Sequence, residues 1–370
     1  MAHIWTSLGS NLTTIIWQSS VEVFHSLLLE SPSIHFPVLE DLTLGLNRPH
    51  DPSVDESFHL SIARFLFSHS FTITSLSFIT TSIHVAPIDI APILALVGRF
   101  PYLRQLSLAI GISQCRHIHM STPLTLAHFL DNHGDTLKCL FIRFQVVDST
   151  HNSGMHVIDG TLQEILRFRN GNYITTLETD LPAYVGTSDL KTAILQATPR
   201  FSHTLTDFTF SGSLDDGNLT YEEVEAFVLP FSHRSANTGL KVLSLPVDVL
   251  SPQLVDLLAS TLLGLQKLTL KVQPFREHKN SHGTSYGGWR CCHPHRYNLS
   301  LDEFDDLQSF GLEMGSRVYD NWALRHVVIT PSYPLNRSRF LATAIARCIP
   351  DKRRMLIGEP PVSLIDGTIG

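Results

Sequence analysis

One segment of the sequence gathers most of the residue types that could do chemistry. Residues 283–287 match G-x-S-x-G, the turn that presents a nucleophilic serine in many hydrolases. That turn requires a buried strand before Ser285 and a helix after it. The flanking residues 277–282 and 288–292 are instead polar and glycine-containing, which is typical of a loop. We therefore interpret 283–287 as a Gly/Ser loop and expect no enzyme activity.

The same segment contains six side chains that could bind a metal: His278, His282, Cys291, Cys292, His293 and His295. Thiolate and imidazole groups together suit tetrahedral zinc. The His278–His282 spacing matches one half of a zinc finger, but the adjacent pair Cys291–Cys292 cannot replace C-x2-C without strain. We favour a surface loop in a histidine-rich chain and predict no metal and no cofactor, with zinc as the alternative.

An insertion at residues 272–298 is the most distinctive local feature. It combines basic side chains with aromatic ones, notably Arg276, Trp289 and Arg290. Arginine and tryptophan are the types that most often anchor protein interfaces, and long loops in compact folds are either functional or disordered. We hypothesise that this loop contacts a partner, and a disordered insertion is the alternative.

Composition restricts the class of protein. The chain has 370 residues, of which 43% are hydrophobic, so it should fold. A net charge of −7 argues against broad nucleic-acid binding. Five irregularly spaced cysteines fit reduced thiols in the cytoplasm or nucleus. The most apolar stretch, residues 88–97, is interrupted by Asp89 and Pro92, so we expect no membrane span. The first twenty residues have no positively charged start and no uninterrupted apolar run, so we also expect no signal peptide. We expect a monomer.

A short pattern recurs along the chain: apolar, two residues, apolar, one residue, apolar. Ten copies occur, at mean intervals of about 32 residues, and they start at 39, 73, 103, 137, 174, 205, 240, 265, 307 and 324. One such triplet could belong to any strand, but ten at quasi-regular spacing indicate a structural repeat. The interval between the copies at 307 and 324 is too short for a strand and a helix, so one of these two is suspect.

Helix signals lie between the copies. Thr220-x-x-Glu223 is a capping box, as are the pairs at 53/56, 161/164 and 300/303. Ser251-Pro252 places a capping residue before a proline at the first helical position. Strand–helix–strand units imply parallel strands. Alternate strand positions are small or polar, which favours one buried face over a sheet buried on both.

The fold class that follows is α/β. We predict a leucine-rich-repeat-like solenoid, with a curved parallel sheet inside and helices outside. It spans residues 1–350, includes the insertion loop 272–298, and is followed by a C-terminal tail at 351–370.

The repeated residues, above all Leu39-x-x-Leu42-x-Leu44, resemble the irregular leucine-rich repeats of F-box proteins, particularly the F-box/leucine-rich-repeat-like proteins of mushroom-forming fungi. The resemblance covers roughly residues 5–349. It implies substrate recognition for a cullin-type ubiquitin ligase. The N-terminal F-box itself is not found in this sequence, and residues 4–8 look like the strand that usually follows it.

In a solenoid, the solvent-facing strand positions form one continuous surface that partners can bind. The sequence therefore predicts a protein-interaction module, which binds a protein that could be a ubiquitination substrate; a generic leucine-rich-repeat recognition protein unconnected to ubiquitin is the alternative. The candidate partner-binding residues are Asp41, Gln105, Phe141, Arg143, Asp207, Lys267 and Lys271 on strands, and Arg276, Trp289 and Arg290 in the insertion.

Overall fold

The computed structural model describes residues 9–30, 35–47, 55–79, 90–112, 121–146, 173–180, 195–197, 200–211, 218–232, 238–272, 309–331, 335–349 and 356–357. The chain divides into two compact units, Met1–Gly217 and Asn218–Gly370. The fold is α/β with parallel strands, which confirms the predicted class. The assignment of residues 1–350 to one solenoid stays a prediction.

The first unit is a parallel sheet in which each strand pairs with the next one in the sequence. Its strands are β1 (Thr14–Ser20), β2 (Asp41–Asn47), β3 (Ser75–Ile79), β4 (Gln105–Ile112), β5 (Cys139–Val146), β6 (Thr176–Asp180) and β7 (Asp207–Ser211). Its helices include α1 (Val21–Glu30), α2 (Asp55–Ser68), α3 (Ala91–Leu96) and α4 (Ser121–His133), with further helical residues at 195–197 and 200–201 and a 3-10 turn at Gly9–Asn11.

The second unit repeats this arrangement on a smaller scale. Its strands β8 (Val242–Val247), β9 (Lys267–Val272), β10 (His326–Pro331) and β11 (Leu356–Ile357) pair in parallel and in sequence order. Its helices are α5 (Tyr221–Val228), α6 (Pro252–Thr261) and α7 (Leu335–Arg347), with a 3-10 turn at Leu229–Phe231 and a further helical stretch at 309–315.

A backbone ladder fixes the register at the start of the strands. The carbonyl of Glu40 accepts hydrogen bonds from the amides of Thr74 and Ser75, at 2.8 and 3.0 Å. The carbonyl of Thr74 accepts in the same way from Arg104 and Gln105. Each of these carbonyls lies one residue after the first apolar position of a repeat copy. The spacing of the apolar pattern in the sequence therefore matches the main-chain hydrogen bonds between these strands.

Nine of the ten sequence copies place their last two pattern positions on strands, and those side chains are buried. The copy at Leu307 is wrong, because residues 309–315 are helical. Phe310 and Met314 are buried four residues apart, so the apolar spacing there follows one face of a helix. The pattern also missed β1, which has no leucine triplet, and β11, which lies inside the predicted tail.

Two predicted helix starts are confirmed in detail. The Thr220 hydroxyl accepts from the amide of Glu223, and the Glu223 carboxylate accepts from the amide of Thr220 at 2.8 Å. The Ser251 hydroxyl accepts from the amide of Leu254 at 3.2 Å, with Pro252 at the first helical position. The other three capping boxes involve residues or side chains outside the described part of the structure.

Two buried histidines connect segments of the first unit that are distant in the sequence. The Phe36 amide donates to Nε2 of His69 at 2.9 Å, and the Phe100 amide donates to Nε2 of His133 at 2.8 Å. In both cases the histidine lies 33 residues after the phenylalanine. In His69 the other ring nitrogen, Nδ1, lies 2.8 Å from the carbonyl oxygen of Phe65. In His133, Nδ1 contacts the carbonyl oxygen of Phe129 in the same way. We call each arrangement a histidine bridge.

Candidate partner-binding face of the first unit

Side chains of several strands in the first unit alternate between two environments. In β3, Leu76 and Phe78 are buried, whereas Ser75, Ser77 and Ile79 are only partly covered. The same alternation occurs in β6 and β7. Strand side chains point to opposite faces in turn. The sheet therefore has one core face and one face reached by solvent, which we call the open face.

The predicted strand residues of this unit all lie on the open face. Register places Asp41, Gln105 and Asp207 in one row across the sheet, together with Ser75, Cys139 and Thr176. Phe141 belongs to the next row and Arg143 to the one after it. Five residues chosen from sequence alone are thus brought onto one surface.

The centre of the open face is a depression of about 380 Å³. Its floor consists mainly of small side chains on β2, β3 and β4, including Thr43, Ser77 and Ser107. One wall is formed by larger side chains on β5 and β6: Phe141, Arg143, Glu178 and Asp180. The volume falls within the range of about 300–1,000 Å³ that is usual for binding pockets.

Two acidic residues of this wall were not predicted. Glu178 lies beside Phe141 in the register, and Asp180 lies beside Arg143. Nε of Arg143 is 3.3 Å from Oδ2 of Asp180, in an ion pair in which both side chains are well exposed. The available signal was the alternation in Thr176-Leu177-Glu178-Thr179-Asp180. It was weak because Thr179 occupies the slot that leucine fills elsewhere.

The other two predicted strand residues, Lys267 and Lys271, belong to β9 in the second unit. Lys267 is exposed and is next to His326 of β10 in the register. Burial and, second, the charge of Lys267 lower the pKa of His326. The three predicted residues of the insertion, Arg276, Trp289 and Arg290, lie outside the described residues, as do the G-x-S-x-G segment and the six possible zinc ligands.

Within the described part of the chain, no group of three or more histidine, cysteine or acidic side chains is placed to bind a metal. Another cleft, of about 640 Å³, lies in the second unit and includes Tyr221, Asp256, Ser260 and Trp322. The Ser260 hydroxyl donates to the carbonyl of Leu257 at 3.0 Å, so it is part of the helix rather than of a nucleophile–base pair.

The carboxylate of Asp256 in that cleft already has structural partners. Nε of Arg317 lies 2.9 and 3.0 Å from the two oxygens of Asp256, and the Tyr319 hydroxyl donates to Asp256 at 2.6 Å. Burial and this hydrogen bond raise the pKa of the Tyr319 phenol, so it stays protonated. These contacts attach residues 317–319 to α6, and we assign them a structural role.

Among the described residues, every helix is too short or too polar to cross a membrane. No protein-family model matches the chain, and a search of curated proteins gives no significant match.

Proposed function

We propose that this protein is a non-enzymatic interaction module, built as a leucine-rich-repeat solenoid, that binds a protein partner on the open face. The observation that supports this most is the depression on that face. It combines an aromatic side chain, Phe141, with an arginine, Arg143, beside a floor of small residues. Interface hot spots are enriched in aromatic residues and arginine around well-formed pockets.

The strand order and the repeat support the solenoid part of this proposal. In the first unit every strand pairs with the next one in the sequence. That order is what stacked repeats produce, because each repeat contacts only its neighbours. In a doubly wound sheet, by contrast, the order of the strands reverses at a switch point while the strands stay parallel.

From the resemblance to F-box/leucine-rich-repeat-like proteins, we further propose that the bound partner is a substrate of a cullin-type ubiquitin ligase. A recognition protein unconnected to ubiquitin has the same open face, so the two roles differ in what else binds to the chain. The cytoplasm or nucleus is the proposed location, since the free thiols Cys139 and Cys348 are consistent with a reducing compartment.

The test is affinity purification of the protein, tagged at its natural gene, with quantitative mass spectrometry. Ser107→Arg fills the floor of the depression, and Ser57→Arg makes the same change at an exposed position of α2. We expect Ser107→Arg to lose partners that Ser57→Arg retains, while both keep the wild-type free energy of unfolding to within about 0.5 kcal/mol. Identical sets of partners would refute the open face as the binding surface.

The same experiment separates the two roles. For a ubiquitin-ligase subunit, cullin and adaptor proteins should co-purify with both variants, because they do not bind on the open face. Their absence from the wild-type purification would remove the ligase role and leave a general recognition protein.

A further inference from the structure

The described open face of the first unit carries an unbalanced charge. Four carboxylates lie on it, at Asp41, Glu178, Asp180 and Asp207, against the single cation of Arg143. We propose that this face binds an extended protein segment in which a lysine or arginine adjoins a large apolar side chain. The inference rests on the proposed function and specifies the chemistry of its partner.

Phe141 provides the apolar contact. Its row runs from Ile16 on β1 across the small side chains Thr43, Ser77 and Ser107 to Phe141 on β5. Ile16 is 67% exposed and Phe141 is partly exposed. Strands are about 4.8 Å apart, so the two apolar groups are separated by roughly 19 Å. An apolar side chain of a partner can pack on the small residues against the Phe141 ring.

Glu178 provides the charge contact. It follows Phe141 in the same row, one strand further on, at a strand spacing of about 4.8 Å. Asp180 of the same strand is already neutralised in part by Arg143. Among the residues that the structure describes, Glu178 has no such ion-pair partner. A cation bound at Glu178 would therefore lie directly beside the apolar position at Phe141.

The remaining acids determine which partners are disfavoured. The hydroxyl of Thr206 donates to Asp207 at 2.6 Å, and Asp207 lies on the strand next to Glu178. An acidic or phosphorylated segment would bring further negative charge to β6 and β7, and like-charge contacts at an interface are strongly unfavourable. Attraction of a basic segment should weaken as salt is added, because these side chains are reached by solvent.

The experiment pans a phage library of random 12-residue peptides against the immobilised full chain, then measures the affinity of the enriched peptides by fluorescence anisotropy. We expect peptides with a lysine or arginine within two positions of a leucine, isoleucine or phenylalanine. Glu178→Lys should weaken their binding by about tenfold or more, and Phe141→Ala should weaken it as well. Asp131→Lys makes the same charge change on α4, a helix of the same unit that is not part of the open face, and should leave the affinity unchanged.

Enrichment of neutral or acidic peptides, or of no peptides, would overturn the proposal. So would basic peptides that bind Glu178→Lys as tightly as the wild type. If these basic peptides bind Glu178→Lys normally but no longer bind Ser107→Arg, the open face remains a binding surface and only its preference for a basic partner is wrong. If they bind Ser107→Arg and Phe141→Ala normally, the proposed function fails too.

Discussion

At the scale of single residues, the histidine bridges show how a polar side chain can be accommodated in an apolar core. A backbone amide can only donate, so Nε2 of His69 and His133 must be an unprotonated acceptor, and Nδ1–H must donate to the carbonyl four residues earlier. Each neutral imidazole thus accepts from a buried backbone amide that would otherwise lack a partner, and it adds a hydrogen bond to a helix carbonyl. Leaving such groups unsatisfied costs about 1–3 kcal/mol each.

His133→Ala should lower the free energy of unfolding by about 2–4 kcal/mol, because it leaves the buried Phe100 amide without its acceptor and removes a buried ring from the core. His128→Ala is the matched control, since His128 is an exposed residue of the same helix. We expect the control to stay within about 0.5 kcal/mol of wild type in urea unfolding. Equal effects of the two changes would show that the bridge contributes nothing.

At the scale of elements, local sequence chemistry determines where helices begin. In α6, Ser251 lies in extended backbone and its hydroxyl accepts the Leu254 amide, while Pro252 needs no amide partner. Buried Leu254 and Leu258 then lie on the same helix face and pack into the core. These signals act over four residues, which is why they could be recognised before the structure was available.

Ser251→Ala should destabilise the protein by about 1 kcal/mol, because it removes the hydroxyl that accepts a first-turn amide of α6. Ser260→Ala makes the same change near the end of that helix, at an exposed position whose hydroxyl donates to a carbonyl already within the helix. Its effect should be near zero. Thermal and urea unfolding of the two variants measure the difference, and a loss at Ser260 as large as that at Ser251 would contradict the capping role.

At the scale of the whole molecule, several histidines respond to acid in the same direction. Burial is the main cause that lowers the pKa of His69 and of His133, with smaller contributions from His35 beside the first and from Arg99 beside the second. Asp135, next to His133, acts in the opposite direction. The pKa of His326 in the second unit is lowered as well.

Stability should therefore fall as the pH drops below about 6.5, the ordinary pKa of histidine. Below that value the unfolded chain binds protons that the folded chain, with its lowered pKa values, does not yet accept, so protons favour unfolding. The contribution is fully present above 6.5. Urea unfolding from pH 8 to pH 5.5 measures it, and His133→Ala should show a shallower slope than His128→Ala. Stability that rises on acidification over this range would contradict the assignment.

The sequence predicted the parts of this structure that depend on local periodicity. The triplet at Leu39, Leu42 and Leu44 identified a strand with one buried face, and the alternating polar positions placed Asp41 on the other face. The helix at 309–315 was misjudged because an apolar triplet also fits one helix face. Strand β1 was missed because its half-buried positions, Ile15, Trp17 and Ser19, follow no leucine pattern.

What the sequence determined by itself was the α/β class, the parallel pairing of successive strands and the two-faced character of each strand, because these follow from residue spacing of two and of about 3.6. What only the tertiary structure decided was which distant residues meet. Register across seven strands placed Glu178 beside Phe141 and Asp180 beside Arg143, and long-range hydrogen bonds brought His69 to Phe36. Those contacts depend on how the strands pair, and a one-residue shift in register would move every side chain to the other face.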